Sequence, residues 1–270
     1  MCEVVFRIYP KLNIFLKIIG YQDGYHQINS RFVKAYGEIY DEMEIKAHSH
    51  FVLKGNFNCA MEDNLIFKAK CAMQKFLSTQ EKKVQDLESL HIEVQKVIPQ
   101  GAGLGGGSAN AGVFLRAVNE FLALGLKEGE LMQIAQSVGS DVSFFASGAA
   151  SANVRGRGED IESFVESPLN YDIYTPNIFC DTAKVYQHYA AAIKSQGITY
   201  STPTNEYFKL TSKELLDRGE TKEVMNDLFV SATFIYPMLK DIARELGDKW
   251  YFSGSGSSFF KLKGIKCSKK

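Results

Sequence analysis

Apolar side chains recur at every second position near the start of the chain. Val4, Phe6 and Ile8 predict an opening strand, and Leu12, Ile14 and Leu16 a second one. Asp23-Gly24 is a turn signal that leads into Tyr25-His26 and another extended segment, and Met43 with Ile45 marks a further strand. The period then changes. Leu65, Phe67, Ala69 and Met73 follow a helical pattern behind Glu62-Asp63-Asn64, an N-terminal cap signal. Leu90, Ile92 and Val94 return to alternation, and that strand ends at Ile98-Pro99. After a run of glycines, Ala111, Phe114, Leu115, Val118, Phe121 and Leu122 predict a helix with Gly125 as its stop. Leu131, Ile134, Ala135 and Val138 predict another, closed by Gly139.

The character of the chain changes near residue 155. Arg155 to Glu159 reads as a turn between strands, and helices are expected at Val185 to Ile193, Ser212 to Leu216 and Met238 to Leu246. Trp250 to Phe252 and Phe259 to Leu262 read as two strands joined by Ser253 to Ser258. Strands and helices mix without regular alternation, so the expected class is α+β rather than a doubly wound sheet. Two domains are expected, residues 1–155 and 156–270.

Composition mainly excludes. Lys plus Arg and Asp plus Glu each number 31 in 270 residues, so no global field favours nucleic acid or an anionic membrane. An anionic ligand must be held by local groups. The five cysteines (Cys2, Cys59, Cys71, Cys180 and Cys267) are odd in number and contain no CxxC pair, which argues against a disulfide framework or a zinc site. His48 and His50 lack metal-binding company and read as strand or loop residues. No apolar run approaches the ~20 residues that span a bilayer, and no charged leader precedes an apolar stretch. A cytoplasmic location is expected.

The chemistry concentrates between Gly101 and Ser108. A strand, a glycine run and an amphipathic helix form an arrangement that binds phosphate. Glycines let the backbone approach an anion, and the first N–H groups of the helix point at it unpaired. Ser108 stands where the helix is expected to begin, so its hydroxyl can cap the helix, touch a phosphate oxygen or approach Mg²⁺. Gly101, Gly103 and Gly106 satisfy G-x-G-x-x-G, but no βαβ unit with the required acidic residue follows, which leaves dinucleotide binding a weak alternative. Gly107-Ser108 stands where a Walker loop needs Lys-Ser or Lys-Thr, and protein-kinase signatures are missing.

Three segments in order resemble the GHMP kinases, the superfamily of galactokinase, homoserine kinase and mevalonate kinase. They are Pro10-Lys11-Leu12-Asn13, the stretch from Pro99 through Gly105-Gly106-Gly107-Ser108 to Ala111, and Phe252 to Ser258 with Gly254 and Gly256. Asp23-Gly24-Tyr25-His26, Asp63-Asn64-Leu65, Gly139-Ser140-Asp141-Val142 and Pro176 through Thr182 to Tyr186 further resemble one branch of that superfamily. Its substrate is a cytidine diphosphate-linked methylerythritol of the non-mevalonate isoprenoid pathway. Pro10 departs from that branch, which commonly has Ala before the Lys.

The resemblance implies a two-lobed fold, with a ribosomal S5 domain 2-like N-terminal domain that binds ATP and a ferredoxin-like C-terminal domain. It implies transfer of the ATP γ-phosphate to a tertiary 2-hydroxyl, with Mg²⁺ riding on the phosphates and Ser108. Asp141 would accept the hydroxyl proton or position the hydroxyl, Lys11 would pair with Asp141 and neutralise developing charge, and Asn13 would orient the acceptor. Asn64, Leu65 and Lys96 match positions that flank adenine, and Gly101, Gly103, Leu104, Gly105, Gly106, Gly107 and Ser108 would hold the phosphates. Tyr25 and Tyr186 would sandwich the pyrimidine, His26 would read its edge, and Phe32 and Thr182 would line the substrate cleft. The third glycine segment would close over the substrate, support the phosphate loop or be a plain hairpin turn. A monomer or weak homodimer is expected. Three rivals stand beside this reading: a GHMP kinase for homoserine or a mevalonate derivative, a dinucleotide-dependent oxidoreductase, and a catalytically dead nucleotide sensor.

Overall fold

A computed structural model describes residues 3–80, 85–196, 199–202 and 205–264. Cys2 and Cys267 lie outside them. The expected opening strands are β1 (Glu3–Ile8), β2 (Lys11–Gln22), β3 (Tyr25–Lys34) and β4 (Asp41–Ala47), joined by β5 (Val52–Gly55) and β6 (Leu90–Gln95). Strands β1, β4, β6 and β5 form one sheet in that order, with β5 parallel to β6. A second sheet runs β2, β3, β7 (Ser151–Arg155) and β8 (Asp160–Ser163). Asp23 and Gly24 both adopt positive φ, +52° and +84°, between paired Gln22 and Tyr25. That is the two-residue hairpin whose twist matches its strands. Residue 155 falls at the β7–β8 hairpin, so this sheet continues past it to Ser163.

Four helices cover these sheets: α1 (Leu65–Thr79), α2 (Gly106–Phe121), α3 (Glu128–Val138) and α4 (Val142–Ser147). Asn64 caps α1 as expected, its Oδ1 accepting from the Ile66 amide at 2.9 Å. Ile8, Met43, Ile45, Ile92 and Val94 of the first sheet share one core with Leu16, Ile18 and Phe32 of the second and with the helices. The remainder holds α5 (Thr182–Gln196), α6 (Ser212–Asp217), α7 (Lys222–Met225), α8 (Phe229–Ile235) and α9 (Met238–Leu246). Its sheet of three strands runs β10 (Tyr251–Phe252), β11 (Phe259–Leu262) and β9 (Tyr171–Tyr174).

Strand β2 departs from simple alternation. Its register against β3 shifts between Asn13 and Phe15, a bulge that turns Leu12, Ile14 and Phe15 into a second core with Phe208, Leu215 and Phe260. Leu16 and Ile18 enter the first core instead. Lys11 through Leu16 is therefore buried on both faces, polar residues included. A strand between two cores holds its side chains rigidly, and Lys11 and Asn13 lie on it. No helix among the described residues is long and apolar enough to cross a membrane.

Candidate active site

A cleft of about 770 Å³ lies between β2, the glycine run, α1, α5 and the 253–258 loop. Lys11 opens β2 and is almost fully buried. Its Nζ donates to Asn13 Oδ1 at 2.6 Å, stands 3.4 Å from Asp141 Oδ2 and lies 4.5 Å from the Phe32 ring centre. Phe32 thus lines the cleft and also faces the lysine ammonium. Asn13 in turn donates from Nδ2 to Ser30 Oγ at 3.0 Å, and its amide donates to Ser253 Oγ at 3.3 Å. Both polar ends of the Asn13 side chain are engaged, which fixes its rotamer.

Asp141 occupies the N-cap position of α4 but makes no capping hydrogen bond. Its carboxylate faces Lys11 with 31% of its side chain exposed, against 5% for Lys11. The buried cation and the open carboxylate leave Asp141 as the member of the pair that a solvent-borne group can reach.

The glycine run turns at Gly101, Gly103 and Gly105, with φ of +62°, +72° and +68°. At Gly103 a Cβ would lie 2.1 Å from the Ser253 carbonyl oxygen, so the close approach of the two loops requires glycine there. Gly105 is the N-cap of α2, and the first helical bond runs from the Ala109 amide to the Gly105 oxygen. The amides of Gly106, Gly107 and Ser108 precede that bond, and the three residues line the cleft at the start of the helix. Ser108 is therefore the third residue of α2 rather than its start. It does not cap the helix, because Gly105, in the left-handed conformation, occupies the N-cap position and Ser108 lies inside the first turn. Gly101, Gly103, Gly105, Gly106, Gly107 and Ser108 line the cleft. Leu104 does not: it is buried in the second core, and its carbonyl accepts from the Lys11 amide at 3.0 Å.

Asn64, Leu65 and Lys96 line the same cleft. Lys96 is held by fully buried Asp41 and donates to Asn110 Oδ1 at 2.7 Å. At the other end lie Tyr25, His26, Thr182 and Tyr186. The His26 ring stacks on Tyr186, centres 5.5 Å apart and planes 29° apart, and meets Tyr21 and Tyr189 edge-on. Burial lowers the His26 pKa, with a hydrogen bond to the Gly20 backbone opposing, and its Nδ1 has no protein partner. Burial also raises the Tyr186 phenol, so its hydroxyl stays protonated. Tyr25 is exposed, and the Arg157 guanidinium lies 4.8 Å over its ring. One face of each tyrosine is thus already covered by another side chain.

The third glycine segment packs on the first. Ser253 Oγ donates to the Gly103 carbonyl at 3.1 Å, and the Ser258 amide donates to Ala102 at 3.1 Å. Thr182 Oγ1 and Ser255 Oγ are 2.8 Å apart, which ties α5 to the same loop. These contacts tie the segment to the glycine run, and Gly254 and Ser255 also line the cleft. Asn226 anchors it from behind, donating to the carbonyls of Phe252 and Gly254 at 3.0 and 2.9 Å. Asp41, Asn110, Arg157, Ser253 and Asn226 were not singled out in the sequence. Each acts through a partner distant in sequence; Asn110 and Ser253 lie inside the glycine motifs, whereas no local pattern marks Asp41, Arg157 or Asn226.

Residues 64–149 match the model of the GHMP kinases N terminal domain. The 4-diphosphocytidyl-2-C-methyl-D-erythritol kinase of Helicobacter acinonychis is 43% identical over 264 residues, covering 96% of this chain and 96% of that protein. The enzyme of the same name from Sulfurimonas denitrificans is 40% identical, with 96% and 97% covered. A crystal structure of 4-(cytidine 5'-diphospho)-2C-methyl-D-erythritol kinase superposes with a TM-score of 0.74 at 27% identity, covering 96% of this chain and 90% of that one. With its Lys11–Asn13–Asp141 cluster facing a glycine loop of the GHMP type, the chain belongs to the 4-diphosphocytidyl-2-C-methyl-D-erythritol kinase family of the GHMP kinases.

Proposed function

We propose that the chain transfers the γ-phosphate of ATP to the 2-hydroxyl of 4-diphosphocytidyl-2-C-methyl-D-erythritol, a step of the non-mevalonate isoprenoid pathway. The observation that carries this reading is one cleft that holds a phosphate-binding helix start, the Lys11–Asp141 pair and the aromatic group of Tyr25, His26 and Tyr186. A homoserine or mevalonate substrate has no base to use that aromatic end.

The acceptor oxygen attacks the γ-phosphorus as the bond to the β–γ bridging oxygen breaks, and ADP leaves with that oxygen. Asp141 receives the hydroxyl proton, late if the transition state is loose. Lys11 sits against Asp141 and offsets charge developing on the acceptor and phosphoryl oxygens. Asn13 holds the Lys11 ammonium in place and borders the acceptor. The amides at 106–108 bind the phosphates, with Asn64, Leu65 and Lys96 around the nucleotide. Among the described residues no cluster of three carboxylate, histidine or cysteine ligands occurs. The Ser108 hydroxyl, at the cleft, fits a Mg²⁺ ion carried mainly by the nucleotide, which would neutralise phosphate charge.

At the substrate end, the covered faces of Tyr25 and Tyr186 favour a base bound between their remaining faces, with the His26 edge beside it. We further propose an ATP-binding N-terminal lobe, residues 1–155 with strand β8 added to its sheet, and a C-terminal lobe formed by the rest of residues 156–270. The working unit is a monomer or weak homodimer in the cytoplasm.

The test is ADP release with Mg²⁺-ATP and three acceptors offered separately. Turnover of the cytidylated alcohol, with homoserine and mevalonate inert, is expected. Turnover of homoserine or mevalonate instead would retain a kinase and discard the cytidine pocket.

A further inference from the structure

Asp41 opens β4 far in sequence from any motif and is fully buried. One carboxylate of that kind is costly unless every oxygen is satisfied. Here Oδ1 accepts from the Val97 and Ile98 amides at 2.7 and 2.8 Å. Oδ2 accepts from Asn110 Nδ2 at 2.8 Å and from Lys96 Nζ. Lys96 Nζ closes the triangle on Asn110 Oδ1 at 2.7 Å. Residues 96–98 lead into the glycine run, and Asn110 lies in the second turn of α2 just beyond it. A single side chain therefore grips both ends of the 99–105 loop.

The same grip aims a charge. A Cβ on Gly106 would lie 3.5 Å from Lys96 Nζ, so the ammonium stands beside the first turn of α2, and Lys96 lines the cleft. Asp41 itself does not line it. Without the carboxylate, Lys96 would keep, among the described residues, Asn110 alone as a hydrogen-bond partner, and the two amides at 97 and 98 would lose their acceptor.

We propose that Asp41 is the positioning residue of the phosphate-donor half of the cleft: it sets the glycine loop and directs Lys96 at the bound nucleotide. The proposal rests on the reading that this loop holds ATP. It predicts an effect confined to one substrate, because the Lys11–Asn13–Asp141 cluster and the aromatic end share no hydrogen bond with Asp41.

The test titrates Mg²⁺ with a non-hydrolysable ATP analogue, and separately CDP, into the unmodified chain and into Asp41→Asn, Lys96→Met and the Asp41→Asn/Lys96→Met double variant. Loss of charge-assisted hydrogen bonds should raise the Kd for the ATP analogue roughly tenfold to a hundredfold in Asp41→Asn, with the CDP Kd within about twofold. The double variant should fall between Lys96→Met and the product of the two single effects, since the pair is coupled while the bonds from Asp41 to the 97 and 98 amides are lost in addition. The double variant also removes the unpaired buried lysine, and Asn110→Ala loosens the same grip more mildly. Should Asp41→Asn fail to fold, the same nucleotide-selective loss in those two variants carries the test. Equal loss for both ligands, no loss for either, or fully multiplicative effects would overturn the role of Asp41. Failure of the unmodified chain to bind the ATP analogue would overturn the donor assignment itself, and the proposal with it.

Discussion

Lys11 and Asp141 are an unequal pair: the cation is buried between Asn13 and Phe32, whereas the carboxylate has open cleft on one side. Replacing Asp141 by Asn keeps the shape and removes the proton acceptor and the negative charge. We expect kcat to fall roughly 10²–10⁴-fold, the usual worth of general acid–base groups, with the KM of ATP within about threefold. Steady-state kinetics on both substrates checks this, and an unchanged kcat would remove Asp141 from the chemistry. His26 gives a pH dependence. Burial lowers its native pKa below the unfolded value of about 6.5, so the unfolded chain binds the proton more readily between the two. Stability should therefore rise with pH through that window and level off above about 6.5. His91, lowered by burial and by Lys46, acts in the same direction. Melting temperatures from pH 5 to 8 should show the slope, and His26→Gln should flatten part of it. Lys11, Asn13, Asp141 and Ser108 were legible because each sits inside a short motif. Asp41 was not, since its partners lie more than fifty residues away and buried charge leaves no periodic trace.

The glycine loop and the 253–258 loop work as one element pair. Gly103 needs both its left-handed φ and its missing Cβ, because the Ser253 carbonyl fills that space. Gly103→Ala should cost about 1–2 kcal/mol for the backbone alone, and the clash with backbone adds to it. The variant should show a lower urea midpoint and weaker ATP binding together; stability and binding both unchanged would refute the packing described. Most elements were legible from period and caps: α1 behind Asn64, the Asp23-Gly24 hairpin and α3 closed by Gly139. The β2 bulge was not, because Leu12, Ile14 and Leu16 keep their spacing in sequence while the backbone shifts between cores. Helices α7 and α8 have four and seven residues, too few to display a helical period, and β9 is a four-residue strand, too short for the alternation of Tyr171 and Ile173 to stand out.

Across the molecule, buried polar ties join the second sheet to the segments that follow it. Arg31 is fully buried, donates to Asn153 Oδ1 at 2.8 Å and to the Phe208 carbonyl at 3.2 Å, and lies 3.7 Å from Glu166. Burial pushes its pKa down to about 10, with Glu166 opposing. Glu166→Gln leaves that cation unpaired and should destabilise the fold by about 3–5 kcal/mol in urea unfolding, whereas a change under about 1 kcal/mol would make the tie incidental. The α+β class was legible from the irregular mix of periods. How the lobes join was not, because Arg31, Asp227 and Asn226 each make their link through single side chains. Asp227 alone accepts from the Ile18 amide, Lys17 and Ser201. The most direct measurement is ³¹P NMR of the chain incubated with Mg²⁺-ATP and 4-diphosphocytidyl-2-C-methyl-D-erythritol. A new phosphomonoester resonance should grow with ADP, its carbon coupling placing it on the 2-hydroxyl, and it should be lost with Asp141→Asn. Release of inorganic phosphate alone, or a phosphate on any other oxygen, would contradict the proposed transfer.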